Sequence, residues 1–76
     1  MWTKKEIAEI KYITKALNEI LPITHGVNVI FKEETHNAYI VTAGATDTDN
    51  AHSVIDVTDD NARGYFEDVM SLVNDL

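Results

Sequence analysis

The chain has 76 residues, of which 45% are hydrophobic and 25% charged, with three glycines, one proline and no cysteine. This is the composition of one folded domain with a modest core, burying roughly 60% of its unfolded surface; it excludes a disordered linker, a fibrous repeat, a disulfide framework and a thiolate metal site. The net charge of −7 is segregated, because residues 1–32 hold five lysines against three glutamates whereas residues 33–76 hold one arginine against ten acids.

In chain order, Thr3-Lys4-Lys5-Glu6 reads as a capping box, with Trp2 and Ile7 at the positions of a hydrophobic staple. Ile7, Ile10, Ile13, Leu17, Ile20 and Leu21 recur at spacings of three and four, the stripe of an amphipathic helix that Pro22 is expected to stop. Lys4, Lys11 and Lys15 fall on one solvated flank. Gly26 offers the positive φ that a tight connector needs before a first strand. In Val27–Lys32 the apolar residues Val27, Val29 and Phe31 alternate with Asn28, Ile30 and Lys32. In Ala38–Ala43, Ala38, Ile40 and Thr42 alternate with Tyr39, Val41 and Ala43. The polar tetrad Glu34-Thr35-His36-Asn37 between the two runs reads as the loop of an antiparallel hairpin. Pairing Glu33 with Ala38 sets Phe31 opposite Ile40 and Val29 opposite Thr42, although the loop leaves the register open.

Residues 44–50 read as an acidic loop, and Ala51–Val57 as a third strand with His52, Val54 and Asp56 on its second face. Thr58, Asp59, Asp60 and Asn61 supply N-caps for a closing helix on the stripe Ala62, Phe66, Val69, Val73 and Leu76, widened by Tyr65, Met70 and Leu72. Gly64 in its first turn points to a close approach by a neighbour. The expected fold is therefore α+β in the order α-β-β-β-α, a three-stranded antiparallel meander with both helices on one face. The other face, with Ile30, Tyr39, Val41 and Val54, is left without a cover from within the chain.

Chemistry-bearing patterns are sparse. There is no phosphate-cradling glycine loop, nucleophile elbow, HExxH or cysteine nucleophile. His25, His36 and His52 stand in three different elements and are read as surface residues, not metal ligands. Asp47-Thr48-Asp49-Asn50 begins like a calcium loop, but His52 and Thr58 occupy the places of its glycine and its bidentate glutamate. Asp59 and Asp60 are read as helix-start residues, so no catalytic residue, metal or cofactor is expected.

The α-β-β-β-α order resembles that of the double-stranded RNA-binding domain over most of the chain, as topology. That family places basic residues at the start of its last helix to hold phosphates. The matching segment here, Thr58-Asp59-Asp60-Asn61-Ala62-Arg63, carries two carboxylates and one base, a sign that repels phosphate; direct nucleic-acid binding is not expected. With its sign reversed, the chain is similar in kind to phage-encoded inhibitors that mimic DNA. That resemblance implies a non-enzymatic protein presenting Asp47, Asp49, Asp56, Asp59, Asp60, Glu67 and Asp68 to a partner with a basic surface; the lack of cysteine, of a signal-length apolar run and of any stretch of about 20 apolar residues makes a cytoplasmic protein with no membrane segment the expectation. The alternative expectation is an assembly module that forms a homodimer, or docks on a larger protein, through Ile30, Tyr39, Val41 and Val54.

Overall fold

The computed structural model describes residues 2–76. Helix α1 spans Lys4–Thr24, strands β1, β2 and β3 span Val27–Lys32, Asn37–Thr42 and Ser53–Asp56, and helix α2 spans Ala62–Asn74. The fold is α+β in the order α-β-β-β-α, with one antiparallel sheet in the spatial order β1-β2-β3.

The capping box starts α1 where the sequence puts it: Thr3 Oγ1 accepts from the Glu6 amide at 3.1 Å and Glu6 Oε1 accepts from the Thr3 amide at 2.9 Å. Pro22 does not stop the helix, which runs on to Thr24. Proline withholds its own N–H and crowds the carbonyl of Asn18, but both costs fall in the last turn, and the following turn still closes through the His25 amide on the Leu21 carbonyl at 2.8 Å. Gly26, at φ 68°, then reverses the chain into β1.

Both helices cover the same sheet face. Ile10, Leu17 and Leu21 of α1 meet Val27, Val29, Ala38 and Ile40 of the sheet, Val57 just beyond β3, and Tyr65, Val69 and Val73 of α2. Ile20, expected on the buried stripe, is exposed. It lies about 100° round the helix from Leu21, outside the arc that touches the sheet. In α2 the buried arc also differs from expectation: Tyr65 is fully buried, while Phe66 and Leu76 are exposed. Tyr65 can take the central position because its hydroxyl has a partner, Thr14 Oγ1 at 2.7 Å, and because its ring meets Phe31 edge-on at 5.6 Å. Burial pushes the Tyr65 phenol up to about 12, against the opposing bond from Thr14.

The register is two residues away from the pairing written above, with Phe31 opposite Ala38, Val29 opposite Ile40 and Val27 opposite Thr42. An even shift leaves every side chain on its expected face. Its cause is the connection, a 3-10 turn over Glu33–Thr35 that ends at His36 in the left-handed conformation, φ 58°. The third strand is shorter than expected, because Ala51, His52 and Val57 lie outside the ladder.

The outer edge of β1 is closed by a side chain. Asn18 of α1 accepts the Val29 N–H at 2.7 Å and donates to the Val29 carbonyl at 2.9 Å, as a neighbouring strand would. Asn28 then donates to Asn18 at 3.0 Å and accepts the Gly44 amide at 2.9 Å, tying the β2–β3 loop to the same point.

Candidate interaction surface

In a meander the ends of the strands, and not the order of the sequence, decide which charges meet. Asn37 pairs with Asp56 and Lys32 with Asn37, so the end of β3 lies beside the β1–β2 turn. Trp2 brings the start of α1 to the same end: its indole N–H donates to the Asp60 carbonyl at 2.6 Å, and its ring lies 5.6 Å from Phe31 and 4.8 Å from His36. Helix α2 also starts there, capped by Asn61 Oδ1 accepting from the Gly64 amide at 2.8 Å. Both helix N-termini, which favour negative charge, therefore share one end of the molecule with most of its acids.

Two shallow grooves flank Trp2. One, of about 300 Å³, is lined by Trp2, Glu6, Thr58, Asp59, Asp60, Asn61 and Gly64. The other, of about 480 Å³, is lined by Trp2, Ile7, Glu33, Glu34 and His36. The structure thus gathers Asp56, Asp59, Asp60 and Asp68 from the sequence-derived set and adds Glu6, Glu33 and Glu34 to them. It leaves Asp47 and Asp49 at the opposite end, in the loop between β2 and β3, where Asp47 Oδ1 accepts the Asp49 amide at 3.2 Å. Six residues of strand, about 17 Å, exceed the Debye length of about 8 Å at physiological salt, so the two acidic groups are electrically separate. Glu67 stands apart from the gathered acids in another respect: it is paired with Arg63 at 3.1 Å on the exposed face of α2.

The gathered carboxylates are not equivalent. The backbone N–H and then the hydroxyl of Thr3 hold Glu6 below the usual carboxylate value. The hydroxyl and then the amide of Thr58 do the same for Asp56. Asp60 moves the other way, raised to about 6 by burial first, then by the hydrogen bond and charge of Asp68 and by the charges of Asp59 and Asp56. Asp60 is thus more than a helix-start residue: Asn61 does the capping, and Asp60 Oδ2 is shut off from solvent with no hydrogen-bond partner among the described residues. Gly64 serves this arrangement, because a Cβ there would stand 3.2 Å from Asp60 Oδ1 and 3.3 Å from Asn61 Oδ1.

The histidines divide between the ends. His36 Nδ1 lies 3.3 Å from the Thr58 hydroxyl beside Trp2, whereas His25 and His52 line a hollow at the far end with Gly26, Val27 and Leu76.

On the open sheet face, Ile30 and Tyr39 are half-buried, Val54 is 55% exposed and Val41 is 1% exposed. Lys32 Nζ sits 5.5 Å above the Tyr39 ring and takes up part of that surface. Val41 presents nothing to a partner, so the apolar area here reduces to Val54 and the rims of Ile30 and Tyr39. Among the described residues no helix is long and apolar enough to cross a membrane. Comparison with protein-family models, with curated proteins and with solved structures finds no match.

Proposed function

We propose that this chain is a non-enzymatic binding domain whose acidic end engages the basic groove of a nucleic-acid-handling protein, in the manner of phage-type inhibitors that mimic nucleic acid. The observation that carries this reading is the convergence of Glu6, Glu33, Glu34, Asp59 and Asp60 on the two grooves beside Trp2, with Asp56 and Asp68 near enough to Asp60 to raise its carboxyl. Concentrated charge of one sign draws a complementary surface and speeds its encounter. Trp2, half-buried between the grooves, supplies the aromatic anchor that such contacts centre on.

The test immobilises the chain in lysate of its natural host, at low and at high salt, beside a variant carrying Glu33→Gln, Glu34→Gln, Asp56→Asn and Asp59→Asn. Expected is a basic protein captured at low salt, released as salt rises, and lost with the variant. A second variant, Asp47→Asn with Asp49→Asn, should capture as the wild type does. A captured protein indifferent to the first variant overturns the reading. The exposure of Val54 next to Tyr39, its cross-strand partner, favours a second reading, self-pairing through the sheet face. That reading predicts a salt-resistant dimer that Val54→Ser turns into a monomer.

A further inference from the structure

Helix α1 packs on the molecule through one arc and leaves the opposite arc uncovered. Tyr12 stands there, about 160° round the helix from the buried Ile10, and is 73% exposed. A shallow groove lies on each side of it. The groove toward the start of the helix, of about 340 Å³, is lined by Lys5, Ala8, Glu9 and Ile13. The groove toward the end of the helix, of about 140 Å³, is lined by Lys15, Ala16 and Glu19. Lys5, Glu9, Lys15 and Glu19 are all exposed, and among the described residues none of them is held in an ion pair.

The order of these residues is its own complement. Ala8 stands four residues before Tyr12 and Ala16 four after it, Glu9 three before and Lys15 three after, Lys5 seven before and Glu19 seven after. When two copies of α1 run antiparallel with a two-fold axis at Tyr12, residues equally far before and after it come to the same height along the pair. Lys5 of each copy then meets Glu19 of the other, and Glu9 meets Lys15. Sliding one helix by four residues sets Lys5 against Lys15 or Glu9 against Glu19, and a parallel pairing sets like against like throughout. The charges therefore select this one arrangement.

We propose that the outer face of α1 is the surface through which two copies of this chain pair, antiparallel about Tyr12. Ala8 and Ala16, with nothing beyond Cβ, let the helices approach, and each Tyr12 ring lies over the alanines of the other copy between lysine stems. The arrangement also suits the charge of the whole molecule. The chain carries −7, yet the face that pairs is balanced, with two lysines against two glutamates. Antiparallel pairing holds the starts of the two α1 helices, and with them the two acidic ends, about 24 Å apart, well beyond the screening length of about 8 Å. The sheet and α2 lie on the other side of α1 and leave the approach clear. The pair uses neither the acidic end nor Val54, so it stands whatever either of them binds.

Sedimentation equilibrium from micromolar to millimolar chain tests the pairing, with two double variants that keep the net charge at −7. Lys5→Glu with Glu9→Lys sets like charges at both meeting points, and dimerisation weaker by roughly tenfold or more is expected. Lys5→Glu with Glu19→Lys restores opposite charges across the pair and should dimerise at least as tightly as the wild type. Tyr12→Ser should give a monomer with its helical circular dichroism retained, since the ring stands outside the core. Val54→Ser should leave the dimer intact. A wild-type chain that stays monomeric at millimolar concentration overturns the proposal, as does a dimer that responds alike to both charge exchanges or one that Val54→Ser dissolves.

Discussion

The two ends of this molecule are built on different principles. At the acidic end the ties run between distant parts of the chain, Trp2 to Asp60, Trp2 to His36 and Phe31, and the Val57 amide to the His36 carbonyl. At the far end they run around the sheet's connections: Asn28 to Gly44, Thr42 to His52, and the Ala43 amide to the Gly26 carbonyl. The end with the most repulsion between like charges is thus the one held by tertiary contacts. Local turns alone could not keep carboxylates from four separate segments in one place. The far end carries its two loop acids apart from that crowd and is held largely by contacts that its own connections make.

Trp2→Ala breaks the comparison most strongly. It removes two aromatic contacts and a hydrogen bond at a half-buried site, and a loss of about 2–3 kcal/mol in denaturant unfolding is expected. The matching change at the far end, Asn28→Ala, leaves the Gly44 amide without its acceptor and Asn18 with one donor fewer. Its expected cost is about 1–2 kcal/mol in the same measurement; a cost equal to that of Trp2→Ala would erase the distinction between the ends. The smallest effect is acid titration. Glu6 and Asp56 are held below their ordinary values of 4.5 and 3.8, so each supports the fold above those values and withdraws support as pH falls through its lowered one. Thermal melts should therefore weaken below about pH 4, and Thr3→Ala or Thr58→Ala should shrink that weakening. Since Asp60 acts in the opposite sense on the other side, the melting temperature of the wild type should peak near pH 5.

Much of this was legible in the sequence because it is local. The capping box, the positive φ at Gly26, the alternation that sorts strand residues to faces, and the element order all follow from residues within a few positions of one another. The register was not legible, since Glu33–His36 suits more than one hairpin and its outcome depends on His36 accepting a left-handed backbone. The buried position of Tyr65 rests on Thr14, 51 residues away, which no periodicity in α2 reveals. The acidic end was found in part. Asp56, Asp59, Asp60 and Asp68 were named because they are close in sequence, as Asp47 and Asp49 were. Glu6, Glu33 and Glu34 lie in segments distant from these in sequence, and only the fold brings them to the same end. The signal was available: in a meander, the first turn and the end of the third strand face the same way.

The amide of Asn18 bears on solubility. A sheet recruits further copies edge to edge only if every molecule offers two free edges, one to donate and one to receive. Here the middle of β1 is already answered by Asn18, and the remaining edge, β3, is four residues long and ends in Asp56. Strand addition between copies therefore stops at a pair and cannot propagate into a fibre. Replacing Asn18 with a residue that cannot bond to Val29 would restore the second edge and with it a route to open-ended growth.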